Sequence, residues 1–100
     1  MEFLVEFELD VPASAAASEV EDRNNAESAV AGRLAAQGHL ARVWIRRVEP
    51  GHTRIVGLYR ADSEMELNWI LQGLPLYDWM QVTVTPLEPH PNDPAAARVG

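Results

Sequence analysis

The chain opens on a strict alternation. Phe3, Val5, Phe7 and Leu9 fall on one side of residues 2–10, and Glu2, Leu4, Glu6, Glu8 and Asp10 on the other. That is the pattern of a half-buried β-strand, and Pro12 ends it. Over residues 14–37 the period becomes helical: at about 100° per residue, Val20, Val30, Ala31 and Leu34 share one face. Ser14 or Ser18 is placed to cap this helix, Glu19, Glu21 and Asp22 suit the positive end of its dipole, and Gly38 is a natural stop.

Residues 40–48 and 53–61 read as two strands joined at Glu49, Pro50, Gly51 and His52, a turn by its Pro-Gly content. Simple alternation puts Ala41, Val43, Ile45 and Arg47 on one side of the first, and Leu40, Arg42, Trp44, Arg46 and Val48 on the other. Both faces of this hairpin carry large apolar groups, so both want cover. The chain has helices for one side only, and the other is expected to meet a second copy. Ser63-x-x-Glu66 is a capping box opening a second helix, with Leu67, Ile70, Leu71 and Leu74 inward and Gly73 and Pro75 at its close. Residues 80–85 form a fourth strand in which Val82 and Val84 share a face. The order β-α-β-β-α-β predicts an α+β, ferredoxin-like sandwich: a four-stranded antiparallel sheet with both helices on one face. Residues 1–87 make that domain, and 88–100 a proline-rich arm.

Charge and composition narrow the function. A net charge of −7 argues against nucleic acid and against anionic membrane surfaces. All eight cationic side chains are arginine, which removes Schiff-base chemistry, and cysteine is absent, which removes thiol nucleophiles, disulfides and thiolate metal sites. The three histidines, His39, His52 and His90, have no paired spacing that points to a metal. There is no glycine-rich phosphate loop and no serine elbow. No segment has a signal-peptide pattern or membrane-spanning length, so a soluble cytoplasmic protein is expected.

One residue breaks the first helix's apolar stripe. Glu27 projects into the middle of it, seven residues from both Val20 and Leu34, with Arg23 and Asn24 at its margins one turn earlier. A carboxylate there must be paired or line a cavity, since burying it bare costs several kcal/mol or neutralises it. Two readings follow: a pocket with Glu27 inside it, or an ordinary i,i+4 pair between Arg23 and Glu27 on a helix rotated outward. His52 in its turn, His90 on the arm, and Trp44 and Tyr77 as aromatic walls are further candidates for binding. Tyr59 and Tyr77 both offer phenol donors, with no second group close in sequence to single out either.

At this point the chain resembles the muconolactone isomerase family. The likeness rests on the opening Met-x-Phe-x-Val, Glu27 followed by Leu34 and Gly38, Val43-Trp44, Ser63 with Leu67, and Leu74-Pro75-Leu76-Tyr77-x-x-Met80. It continues through Val82-x-Val84-x-Pro86-Leu87 to His90-Pro91. The resemblance implies sheet-to-sheet dimers that build into a larger homo-oligomer, with C-terminal arms reaching neighbours. It also implies a cofactor-free isomerase that shifts a double bond in an unsaturated lactone by carrying a proton between carbons. Glu27 matches the family's acidic position and is the expected base; Arg23 is placed to bind a substrate carboxylate. The chain departs from the family at Ile45, where arginine usually follows the tryptophan, and at Asn68, where histidine is usual. A cyclase or dehydratase of a polyketide-like intermediate, and a non-catalytic small-molecule binder, are the alternative readings.

Overall fold

The computed structural model describes residues 1–49 and 52–95, and it sets the opening strand in the middle of the sheet. In chain order the elements are β1 (Glu2–Leu9), α1 (Ala17–Ala36), β2 (Leu40–Glu49), β3 (His52–Arg60), α2 (Glu64–Gln72) and β4 (Met80–Leu87). All pairings are antiparallel, in the order β2-β3-β1-β4. This is the expected ferredoxin-like sandwich. Pro50 and Gly51 of the expected turn, and residues 96–100 of the arm, lie outside the described residues.

The alternation in β1 works as read. Phe3, Val5 and Phe7 are buried, and they meet Leu34 of α1, Leu67 and Leu71 of α2, and Leu74 in one core. Both helices therefore cover the same face of the sheet. Leu9, the last apolar residue of the row, is 45% exposed. Among the described residues no helix is long and apolar enough to cross a membrane.

The helix ends show which local signals decide and which do not. The backbone N–H groups of Gly38 and His39 bond to the carbonyls of Ala35 and Leu34 at 3.1 and 2.9 Å, and Gly38 sits at φ 83°. That is a Schellman stop, and only glycine enters the left-handed region freely. At the other end neither Ser14 nor Ser18 is the cap. Ala16 takes that place without a side-chain bond, because the turn after Pro12 runs past Ser14 before the helix begins. In α2 the Ser63 hydroxyl accepts from the Glu66 N–H at 3.1 Å, while the Glu66 carboxylate accepts from the Asp62 N–H at 3.1 Å. His39 does not serve the helix end with its ring; its Nδ1 bonds the Arg60 carbonyl at 2.9 Å.

β2 departs from simple alternation. Leu40 pairs with Tyr59 and Arg42 with Leu58, so a bulge falls at Ala41. The extra residue changes the phase of the strand. Leu40 thereby turns to the helix side together with Val43, and Arg42, Trp44 and Arg46 are left on the opposite face.

Candidate functional site

Between α1 and the sheet a cleft of about 200 Å³ stays open. Phe7, Leu40, Val43, Ile55 and Tyr59 form its sheet wall; Glu27, Ser28 and Ala31 form its helix wall. Leu76 and Met80 close one side. Glu27 supplies the one charge in this lining, and the helical projection that set it between Val20 and Leu34 is the reason it points inward.

Glu27 is held by the loop after α2. Its Oε1 accepts from the Leu76 N–H at 3.0 Å. One turn earlier, the Arg23 guanidinium donates to the Pro75 carbonyl at 3.1 Å. Pro75 C=O and Leu76 N–H belong to the same peptide unit, so two side chains at i and i+4 on α1 grip its opposite ends. Arg23 is further held 4.2 Å over the ring of Trp79 and 3.5 Å from Glu19. The i,i+4 pair between Arg23 and Glu27 does not form: the guanidinium's partners are Pro75, Trp79 and Glu19.

The electrostatics follow from this arrangement. Half-burial in an apolar cleft raises the Glu27 carboxyl above its usual range, and the Leu76 N–H, which favours the ionised form, pulls the other way. Tyr59 is pushed up to about 12, first by burial and then by the charge of Glu27. Glu27 thus keeps one oxygen anchored and, among the described residues, its other oxygen without a protein partner. A carboxylate so placed is suited to take a proton from carbon and return it.

The other residues singled out from the sequence are dispersed. Asn24 is exposed on α1. Trp44 lies on the far face of the sheet, 41% exposed, with the Arg42 guanidinium 5.0 Å over its ring. Tyr77 is half-buried in the 3₁₀ turn Tyr77–Trp79, packed against the core and outside the cleft lining. His90 is exposed on the arm, where its Nδ1 accepts from the Asn92 N–H at 3.0 Å. His52 opens β3 opposite Glu49, and its side chain lies outside the described residues. Among the described residues no three His, Asp or Glu side chains converge as metal ligands would.

Tyr59 is the cleft residue that the pattern along the chain did not single out. A signal was present in Gly57, two positions earlier on the same strand face. A Cβ there would stand 2.6 Å from Cε1 of Tyr59 and 3.2 Å from its Cδ1. An isolated strand glycine marks a close approach, and here the ring of Tyr59 lies across it.

Comparison with known proteins points to one family. The family model described as muconolactone delta-isomerase matches residues 1–93. The chain is similar to the muconolactone delta-isomerase of Acinetobacter baylyi, 32% identical with 92% of this chain and 93% of that protein covered. It is also similar to the same enzyme of Cupriavidus pinatubonensis, at 31% identity with 92% and 97% covered. The crystal structure of a muconolactone isomerase superposes with a TM-score of 0.80 at 26% identity, covering 92% of this chain and 93% of that one. A dehydrochlorinase of 5-chloro-2-hydroxyhydroquinone from Burkholderia phenoliruptrix shares the fold, with a TM-score of 0.64 at 18% identity over 88% of this chain and 94% of that one.

Proposed function

The chain belongs to the muconolactone delta-isomerase family and is an isomerase, and we propose that it shifts a carbon–carbon double bond in an unsaturated lactone or related enolisable compound. Glu27 carries the proton. The observation that supports this most directly is the placement of that carboxylate: inside an apolar cleft, one oxygen fixed by the Leu76 N–H, and no guanidinium beside it among the described residues. The reaction moves a proton and leaves the oxidation level unchanged, so a base and a hydrogen-bond donor suffice and no cofactor is required. The cyclase, dehydratase and non-catalytic readings draw no support from the relatives.

Solvent deuterium provides the test. Incubated with muconolactone in deuterated buffer, the protein is expected to exchange the mobile ring proton and form the shifted isomer, followed by proton NMR. Turnover with no loss in the Glu27→Gln variant would remove the base assignment.

Assembly belongs to the same reading. The face of the sheet away from the helices carries Leu4, Val56 and Leu58 half-covered and Trp44 exposed, and β2 beyond Ala41 is exposed on both sides. The radius of gyration, 15.4 Å, exceeds the roughly 13 Å of a compact domain of this length. A second copy laid sheet to sheet covers this surface, giving a dimer or a larger assembly of dimers. Sedimentation at micromolar concentration is expected to show an oligomer; a stable monomer rejects the sheet pairing.

A further inference from the structure

We propose that Tyr59 holds the substrate's carbonyl oxygen, its phenol donating a hydrogen bond to that oxygen while Glu27 moves the proton. This rests on the functional reading above and assigns the second half of its chemistry to a residue of the sheet.

The geometry carries the assignment. Tyr59 is 4% exposed, yet its hydroxyl bonds to no side chain or carbonyl among the described residues. No buried polar side-chain atom among those residues is sealed off without a partner. A phenol that is neither bonded nor sealed must reach open space, and the space that Tyr59 lines is the cleft. A hydroxyl that opens into an apolar cleft with no protein partner is free to bond a polar atom of a ligand held there. The ring is also held. It lies across Gly57, where a Cβ would stand 2.6 Å from Cε1, and against Phe7, whose ring centre is 6.1 Å away at 60°. Glu27 stands on the helix wall and Tyr59 on the sheet wall, so a flat ring entering between them meets base and donor from opposite sides. Tyr59, pushed up to about 12, stays protonated at neutral pH and so has a proton to donate.

The step balances within the site. The Glu27 carboxylate takes a proton from the carbon conjugated with the carbonyl. The electron pair of the broken C–H bond moves into the ring and the carbonyl oxygen becomes an enolate, held by the Tyr59 O–H, which keeps its proton. Glu27, now a carboxylic acid, returns the proton to the other end of the conjugated system and the carbonyl re-forms. Nothing is oxidised and no group leaves.

The experiment measures kcat and KM for muconolactone with the full chain and three variants, with thermal melts beside each. Tyr59→Phe keeps the ring and its packing; kcat is expected to fall roughly 10²-fold, the effect of removing one enolate or oxyanion donor, with KM little changed and the melt preserved. Gly57→Ala leaves the phenol chemically intact but pushes its ring aside, so kcat is expected to fall there too, which also covers the case in which Tyr59→Phe folds poorly. Wild-type kcat in Tyr59→Phe, together with a dead Glu27→Gln, overturns the donor role and leaves the isomerase reading standing. Absence of turnover by the wild type, or full activity in Glu27→Gln, sinks that reading and the donor role with it.

Discussion

The two faces of the sheet treat carboxylates in opposite ways. On the face away from the helices, Glu2, Glu6 and Glu8 project from β1, and each meets a guanidinium: Arg60 at 3.0 Å, Arg46 at 3.3 Å and Arg54 at 3.7 Å. On the helix side Glu27 meets none among the described residues. It has a backbone N–H, an apolar wall and open space. Exposed pairs of the first kind contribute little to stability, with a median of about 0–1 kcal/mol, and mainly tie strands together. A lone carboxylate of the second kind has its ionised form destabilised by burial, which suits it to take up a proton. The contrast teaches that the described arginines find partners that leave Glu27 alone. Arg23 is the nearest cation on α1 and is turned to Pro75, Trp79 and Glu19 instead.

The largest break in this contrast is Glu27→Gln. It keeps the shape and an oxygen to accept from Leu76 but cannot take a proton, so kcat is expected to fall roughly 10²–10⁴-fold with the fold intact. Stopped assays on muconolactone would check it. The same variant sharpens the stability side. Because burial raises the folded-state value for Glu27 above the unfolded one, the folded chain binds its proton more tightly. Stability from this group is therefore greatest below the ordinary carboxylate range and declines as pH rises through the raised value. Glu27→Gln is expected to melt higher than the wild type at neutral pH, the gap closing as pH falls below the ordinary carboxylate range; equal melts at all pH values would contradict the burial argument. Activity should follow the same group in reverse, rising along an acid limb set above the usual carboxylate range.

A smaller effect is expected at Arg23. Arg23→Ala removes the bond to the Pro75 carbonyl and the contact with Trp79, which together should lower stability by about 1–3 kcal/mol in urea unfolding. It also frees one end of the peptide whose other end positions Glu27, so kcat should drop while KM for the lactone stays near wild type. A KM-only effect would instead make Arg23 a substrate contact. The smallest effect belongs to the outer face. Arg60→Ala breaks a pair with both partners well exposed, and a loss under about 1 kcal/mol with unchanged kcat is expected. A large loss of activity there would erase the distinction between the two faces.

The legibility of the site follows the same division. Glu27 was readable because helical periodicity is local: its angular position between Val20 and Leu34 needs nothing from the rest of the chain. The β-α-β-β-α-β order and the Ser63 capping box were readable for the same reason, through alternation, spacing and turn chemistry. The facing of β2 was not. One bulged residue at Ala41 reverses the phase, and whether a strand bulges depends on the register of its partner.

What the amino-acid order determined alone is the kind and succession of elements and the family, and it narrowed Glu27 to a pocket carboxylate or a partner of Arg23, because each rests on neighbours within a turn or on a matching block of residues. What tertiary structure decided is who stands beside that carboxylate. Arg23 finds a carbonyl 52 residues away, Glu27 finds the N–H next to it, and Tyr59 is laid over Gly57 toward the same space. Trp44 goes to the opposite face. These outcomes are set by contacts between segments distant in the chain, where each side chain settles only after the sheet register and the loop after α2 have closed around it.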